Sequence, residues 1–313
     1  MGVIAVAGGT GGLGRAIVDS ILARGNHEVL VLSRKIDVAK EQEVGARFIA
    51  ADYSNVASLV SMLEENKIDT VISTIDMQQS LEPDLNLTQA AERSSVTKRL
   101  IPSMWGTKYD ERIESMFSAG KGKMTLLRAV AKTNLEYTAI YIGYFLDYYV
   151  APHVKSYMNG RPLFLDIPNN ASATPGSGNT PVGLSYSIDV GNFVAALIDE
   201  TNWEKENFII PDKVTWNEFV KIAEEAKGVK FSVQHDSIED LKAGKMSELP
   251  GYEKVFYPTL PKEKFGSVLS IYGILFESGA LDLKPAHSLN ERYPDIKVHT
   301  VKELVTKAWE GKK

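Results

Sequence analysis

Residues Val3–Gly14 read VIAVAGGTGGLG, and the fold is decided here. Val3, Ile4, Ala5 and Val6 have the character of a buried strand. They run into five glycines and a threonine, and Arg15–Arg24 (RAIVDSILAR) then reads as an amphipathic helix. A strand, a glycine turn and a helix N-terminus make an anion site, because unpaired backbone N–H groups and the helix dipole converge there. In one phasing Gly8 allows the tight turn, Gly11 admits a pyrophosphate to the backbone, and Gly14 brings the helix close to the strand. The spacing Gly9-x-Gly11-x-x-Gly14 fits as well, so spacing alone does not choose the phasing. An ordinary glycine-rich turn is the plainer reading. The strand before it and the helix after it favour dinucleotide binding, with Gly8, Thr10, Gly11, Gly12 and Leu13 at the phosphates.

The 313 residues suffice for one large or two intimate domains. The net charge of −5 argues against non-specific nucleic-acid binding. The chain has no cysteine, which excludes disulfides, thiolate catalysis and cysteine-based metal sites; no metal site is expected. No apolar run reaches membrane-spanning length and the N-terminus enters the first strand at once, so a cytoplasmic protein without membrane association is the expectation.

His27–Ser33 reads as a second buried strand. An acidic residue at its end would suit the ribose of NAD; the chain has Ser33-Arg34-Lys35 instead. Two adjacent cations suit the extra phosphate of NADP, with Arg34 the better candidate because its planar fork pairs with phosphate. A solvated basic turn is the alternative. Further strands are predicted over Ala46–Ala51, Asp69–Thr74, Arg99–Ser103 and Leu135–Ile142. Helices are predicted over Val56–Asn66, Pro83–Ser94 and Ile113–Thr133. This alternation predicts a doubly wound (Rossmann) α/β fold with a parallel sheet and a ligand crevice at the carboxyl ends of the strands. Asp52, Tyr53, Thr74, Ser103, Met104, Trp105, Gly143 and Phe145 fall at those ends.

In the helix before the sixth strand, Met116, Gly120, Leu127 and Val130 share one face, and Lys123 falls in that apolar stripe. Lys121, Thr125, Arg128 and Lys132 fall opposite. A lysine on a core-facing stripe must snorkel or find a partner; over a dinucleotide crevice it reaches the ribose, the phosphates or a reacting oxygen. Beyond the sixth strand, Tyr144, Phe145, Tyr148 and Tyr149 suit a pocket for a flat substrate or a stack against nicotinamide. An aromatic core cluster is the other reading of the same residues.

Residues 1–150 are read as the NADP-binding domain, with a return near 185–211. Residues 151–184 and 212–313 are read as a smaller, partly discontinuous α/β substrate domain. Asp166–Tyr186, rich in Pro, Gly, Asn and Ser, reads as a functional loop or lid. Phe208–Pro211 reads as a strand that extends the main sheet. Thr215-Trp-Asn-Glu218 has the capping-box signature of a helix start.

These residues together resemble the NmrA-like and isoflavone-reductase-like group of atypical short-chain dehydrogenases, in its fungal-type members. The resemblance runs through GGTGGLG, VLSRK, RLIPSMWG, KMTLLRAVAKTNLEYTAI, IGYFLDYY and RYPDIKVHTVKELVTKAW, nearly the whole chain. Met104-Trp105 replace the group's usual Glu-Phe, which bears on the substrate more than on the cofactor. The resemblance puts the reductases' essential lysine on Lys123, in agreement with the helical stripe. The Tyr-x-x-x-Lys pair of typical short-chain dehydrogenases occurs only as Tyr293/Lys297, broken by Pro294, and is taken as chance.

The resemblance implies an NADPH-dependent reductase that passes hydride to a bulky aromatic or phenolic substrate. Lys123 would be the general acid/base, and Met104, Trp105, Tyr144, Tyr148 and Tyr149 would shape the pocket. The NmrA branch implies an alternative, a non-catalytic redox sensor that acts on a protein partner. A non-redox reaction on a recruited fold stands as a third reading. A homodimer is left open.

Overall fold

The computed structural model describes residues 2–76, 80–116 and 118–312. The chain divides into two compact units. The first comprises Met1–Tyr141, Ser187–Ile209 and Ala286–Ile296; the second comprises Ile142–Tyr186, Ile210–Pro285 and Lys297–Lys313.

In the first unit, strands β1 (Val3–Ala7), β2 (Glu28–Ser33), β3 (Arg47–Ala50), β4 (Thr70–Ser73), β5 (Arg99–Ile101) and β6 (Glu136–Tyr137) form one sheet in the order β3-β2-β1-β4-β5-β6. Every pairing in it is parallel. The apolar runs of β1 and β2 are buried along almost their whole length, as expected of strands covered on both faces. Helices α1 (Gly12–Arg24), α2 (Val38–Val44), α3 (Val56–Glu65) and α4 (Glu82–Arg93) alternate with them. The strands are added to one side of β1 up to β3 and to its other side from β4 onward, so the switch point where such sheets bind ligands lies between β1 and β4.

The helix predicted over 113–133 appears as α5 (Glu111–Met116) and α6 (Ser118–Val130), with Phe117 outside the described residues. The predicted sixth strand is divided at Thr138 into β6 and β7 (Ala139–Tyr141). β7 pairs in parallel with Glu206–Phe208, close to the strand expected at 208–211. The helix Ser187–Leu197 packs against α1, where Gly191 is required: a Cβ there would lie 2.6 Å from the Ala16 carbonyl oxygen.

Arg99 ties the edge of this unit together. It bonds Glu136 at 2.5 Å and the Glu200 and Thr201 carbonyls at 2.8 Å, and its guanidinium lies 4.3 Å from the Trp203 ring centroid. Arg99→Ala is expected to cost about 2 kcal/mol, since it removes charged hydrogen bonds and a stacked cation together. A urea midpoint measures it.

The second unit corrects one expectation. The 166–186 stretch is not a lid. Ala171–Pro175 is a fully buried strand, parallel to Ser232–Asp236 and antiparallel to Leu165-Asp166. Val182–Ser185 is also buried, between Asp212–Val214 and Tyr144-Phe145. The turns at 167–170, with Asn170 at positive φ, and at Gly176 and Gly178, both with positive φ, behave as the composition suggests. The small Ser and Thr side chains that imitate a loop satisfy one another inside: Ser172 bonds the Phe164 carbonyl at 3.0 Å and Thr174 at 2.9 Å. Around them lies an aromatic core that includes Phe164, Trp216 and Phe276. The capping box at Thr215 forms as read, with reciprocal bonds to Glu218 of 3.1 and 2.8 Å.

Candidate functional site

The first unit carries a groove of about 500 Å³ at the carboxyl ends of β1, β2 and β4. Its walls include Gly8, Thr10, Arg34, Tyr53, Thr74 and Asp76. Gly8 has φ +82°, and a Cβ on it would lie 2.6 Å from Thr74 Oγ1. A Cβ on Gly14 would lie 2.4 Å from the Gly8 carbonyl oxygen. These two glycines therefore let β1, β4 and α1 meet. A Cβ on Gly9 would press on Val18 and on the Val6 carbonyl oxygen, at 3.0 and 3.1 Å. Gly11 and Gly12 face open space, and Gly12 has φ +54°. The helix start is thus bare of side chains, while its first N–H groups have no partner within the helix. The arrangement fits a dinucleotide pyrophosphate.

At the end of β2, Arg34 lines the groove and Lys35 does not; Lys35 is exposed. Tyr53 donates to the Leu32 carbonyl at 3.3 Å. Burial, with Asp84 nearby, pushes its phenol well up against the opposing pull of Arg34, so the hydroxyl stays neutral. Asp52 is turned into its own loop, where Ser54 donates N–H and Oγ–H to it at 3.0 and 2.6 Å and holds its carboxyl below the usual range. It does not line the groove. Leu13 is buried and does not line the groove.

A polar cluster stands beside this groove. Ser103 donates to the Ile75 carbonyl at 3.0 Å, Trp105 Nε1 donates to the Ser73 carbonyl at 2.9 Å, and Lys123 Nζ donates to the Ser103 carbonyl. Lys123 thus reaches the end of β5 from α6, and the Ser103 hydroxyl ties that end to the residues after β4. Burial pulls its ammonium down to about 8, opposed by Asp84 and Asp76. Met104, expected at the substrate, has no exposed surface and is a core residue. The connection after β5 turns Trp105 back onto β4 and buries its neighbour, an effect that residue type alone does not reveal.

One member of the cluster escaped the sequence reading. Asp84, in the first turn of α4, is only 2% exposed and accepts a 2.5 Å bond from Ser73 Oγ. The signal was present: Asp84, Leu87, Thr88 and Ala91 follow the helical spacing of a buried face, and all four are buried. Leu32, Ser80 and Pro83, also in the groove wall, carried no comparable signal.

The predicted aromatic strip lies in the second unit. Tyr144 meets Phe276 edge-on at 5.1 Å and Tyr148 at 5.5 Å, and Phe145 meets Tyr148 at 5.9 Å. Tyr149 is buried against Trp216 and Phe219, a core position. Tyr148 and Tyr149 border a cavity of about 510 Å³ within that unit. Gly143 has φ +78°, and a Cβ there would lie 2.5 Å from the Gly183 carbonyl oxygen, a packing requirement. Tyr293 and Lys297 fall in different units, the first bonded to Glu200 and the second paired with Glu303. Among the described residues no cluster of His, Asp or Glu is arranged to hold a metal, and no helix is long and apolar enough to cross a membrane.

The sheet order and the glycine-lined groove define a dinucleotide-binding α/β protein. The chain belongs to the NmrA-like family, which it matches over residues 1–303. It is 33% identical over 298 residues to Oxidoreductase BOA1 of Botryotinia fuckeliana (strain B05.10), covering 94% of this chain and 95% of that one. Its fold is that of AtPrR2 solved with NADP+ and (+)pinoresinol: TM-score 0.76, 22% identity, 97% and 98% coverage. It is also that of the leucoanthocyanidin reductase–NADPH complex from Vitis vinifera: TM-score 0.77, 19% identity, 98% and 99% coverage.

Proposed function

We propose that the protein reduces a bulky aromatic or phenolic substrate of secondary-metabolite type with NADPH, and that Lys123 donates the proton. The coarser statement is plain: this is an NADP(H)-dependent oxidoreductase of the NmrA-like family, and its relative BOA1 is named an oxidoreductase. The observation that carries the finer reading is Lys123, whose ammonium is held at the Ser103 carbonyl, beyond β5, and is pulled down to about 8. A proton donor near the working pH is what general acid catalysis requires. The substrate class is supported by the pinoresinol in the AtPrR2 structure and rests on that likeness.

In this reading Gly11 and Gly12 leave the helix N-terminus open to the pyrophosphate, and Arg34 pairs with the 2′-phosphate. Bound NADPH would supply the hydride. Lys123 Nζ gives a proton to the atom that gains negative charge as the hydride arrives. This leaves a neutral amine, which solvent reprotonates. The Ser103 carbonyl holds Nζ in place meanwhile.

Arg34→Ala is expected to weaken NADPH binding by about tenfold or more and to leave NADH nearly unchanged, because one charged hydrogen-bonding group is lost. Fluorescence titration with both nucleotides measures it. Equal losses for the two would remove Arg34 from the 2′-phosphate. The role of Lys123 is tested by Lys123→Ala, for which the proposal requires lost turnover with retained NADPH binding.

A further inference from the structure

We propose that the cavity of about 510 Å³ in the second unit is a binding site for an aromatic carboxylate, held by Arg161 and Lys254. Every residue that lines it belongs to the second unit, and it shares none with the nucleotide groove. Such a site stands independently of the part assigned to Lys123.

The walls are fixed before any ligand arrives. Trp309, which ends the helix Val301–Trp309, donates its Nε1–H to the Tyr149 carbonyl at 2.7 Å. The buried Lys227 donates to the Ile167 and Pro168 carbonyls at 2.8 and 3.2 Å, and its ammonium lies 5.6 Å from the Trp309 ring centroid. Gly251 has no room for a side chain: a Cβ there would lie 2.8 Å from Pro162 Cγ and 2.9 Å from Asp166 Oδ2. Four of the lining residues are prolines, each with a fixed φ. A preformed hollow of this size lies within the roughly 300–1,000 Å³ range of small-ligand sites, and little ordering is left to be done on binding.

The charge offered to a ligand is of one sign. Asp166 is the one carboxylate among the described residues that line the cavity, and the fold consumes it. It is 1% exposed and accepts from the Gly251 N–H at 2.7 Å, from the Asn169 N–H at 3.3 Å, and from Asn169 Nδ2 at 2.9 and 3.0 Å. Arg161 and Lys254 are exposed, and among the described residues neither has a carboxylate partner. Arg161 is also placed: its backbone N–H bonds the Tyr148 carbonyl at 2.7 Å, and its guanidinium lies 5.5 Å from the Tyr148 ring centroid. Its planar fork suits a carboxylate. His153 adds a ring rather than a charge, since it meets Trp309 edge-on at 4.7 Å, and burial with Lys312 nearby holds its imidazole below the usual range. The apolar share comes from Tyr148, Trp309 and Val255; Val255 is 40% exposed, and a ligand would cover it. A flat ring against these side chains, with its anion at Arg161 and Lys254, uses both halves of the cavity.

Isothermal titration calorimetry of the full-length protein with benzoate, cinnamate and naphthoate, each beside its neutral primary amide, is the test. At least one carboxylate is expected to bind, and its amide to bind about tenfold more weakly or worse, because a charged hydrogen bond is lost. Arg161→Ala and Lys254→Ala should each weaken the carboxylate, and the double variant should reduce it to the level of the amide. Val255→Glu, which sets a like charge in the wall at an exposed position, should abolish binding. NADPH titration of each variant should match the wild type and so report an intact fold. No binding by any of the three carboxylates would overturn the site, as would binding that the double variant leaves unchanged. Lys123→Ala should bind the carboxylate like the wild type, so turnover in that variant decides the role of Lys123 and leaves this site standing.

Discussion

Lys123→Ala is expected to lower turnover by about 10²–10⁴, the usual contribution of a positioned acid, while NADPH affinity changes little. The residue bonds the Ser103 carbonyl and is absent from the groove wall, so its loss leaves the nucleotide contacts intact. The pH dependence follows with a definite sign. A proton donor works while protonated, and burial has pulled Lys123 down to about 8. Turnover should fall as pH rises through that value, well below the range of an ordinary lysine. Lys123→Arg is expected to remain charged at every pH and to be a poor donor. Steady-state kinetics from pH 6 to pH 10 (roughly two units either side of that midpoint), beside nucleotide titration of each variant, measures both effects. A wild-type profile flat through the range would separate Lys123 from the chemistry.

A methyl group at position 14 is the second large effect. In Gly14→Ala the new Cβ would lie 2.4 Å from the Gly8 carbonyl oxygen and 2.4 Å from Thr74 Oγ1. The threonine side chain can rotate; the carbonyl is main chain and cannot. Helix α1 must draw back from β1, an overpacking cost of about 1–3 kcal/mol. The withdrawal also moves the helix N-terminus, so NADPH affinity should fall with the melting temperature. Gly11→Ala makes the contrast. Its methyl enters open space and its φ of −171° suits any residue, so the melting temperature should hold. Its NADPH affinity should still fall, because the methyl occupies the proposed pyrophosphate path. Thermal melts with and without NADPH separate the two cases. Equal melting temperatures for both variants would contradict the close contact of α1 with β1.

Much of the first unit was legible because its signals are local. The alternation of buried strands and amphipathic helices is carried by runs such as Val29–Leu32 and by the glycine turn. Lys123 was legible because helical geometry assigns a face to each residue. Asp84 obeys the same geometry, but an acidic residue in a first helical turn has an ordinary explanation in the helix dipole. The second unit was less legible. The stretch 171–185 has a loop-like composition, yet its Ser and Thr side chains bond inward and its backbone pairs with strands distant in sequence. Pairing at that distance leaves no local trace. Met104 shows the same gap at a single residue: type suggested a pocket, and tertiary packing made it core.

The proposed hydride transfer to an aromatic substrate depends on Lys123. Its most direct test is a single-turnover reaction of the NADPH-loaded protein with a panel of aromatic ketones, enones and quinone-methide precursors, run beside Lys123→Ala of equal NADPH affinity. The account predicts oxidation of the nicotinamide that requires both a panel member and Lys123. Tight NADPH binding with no oxidation by any member would contradict it and direct the search to a protein partner.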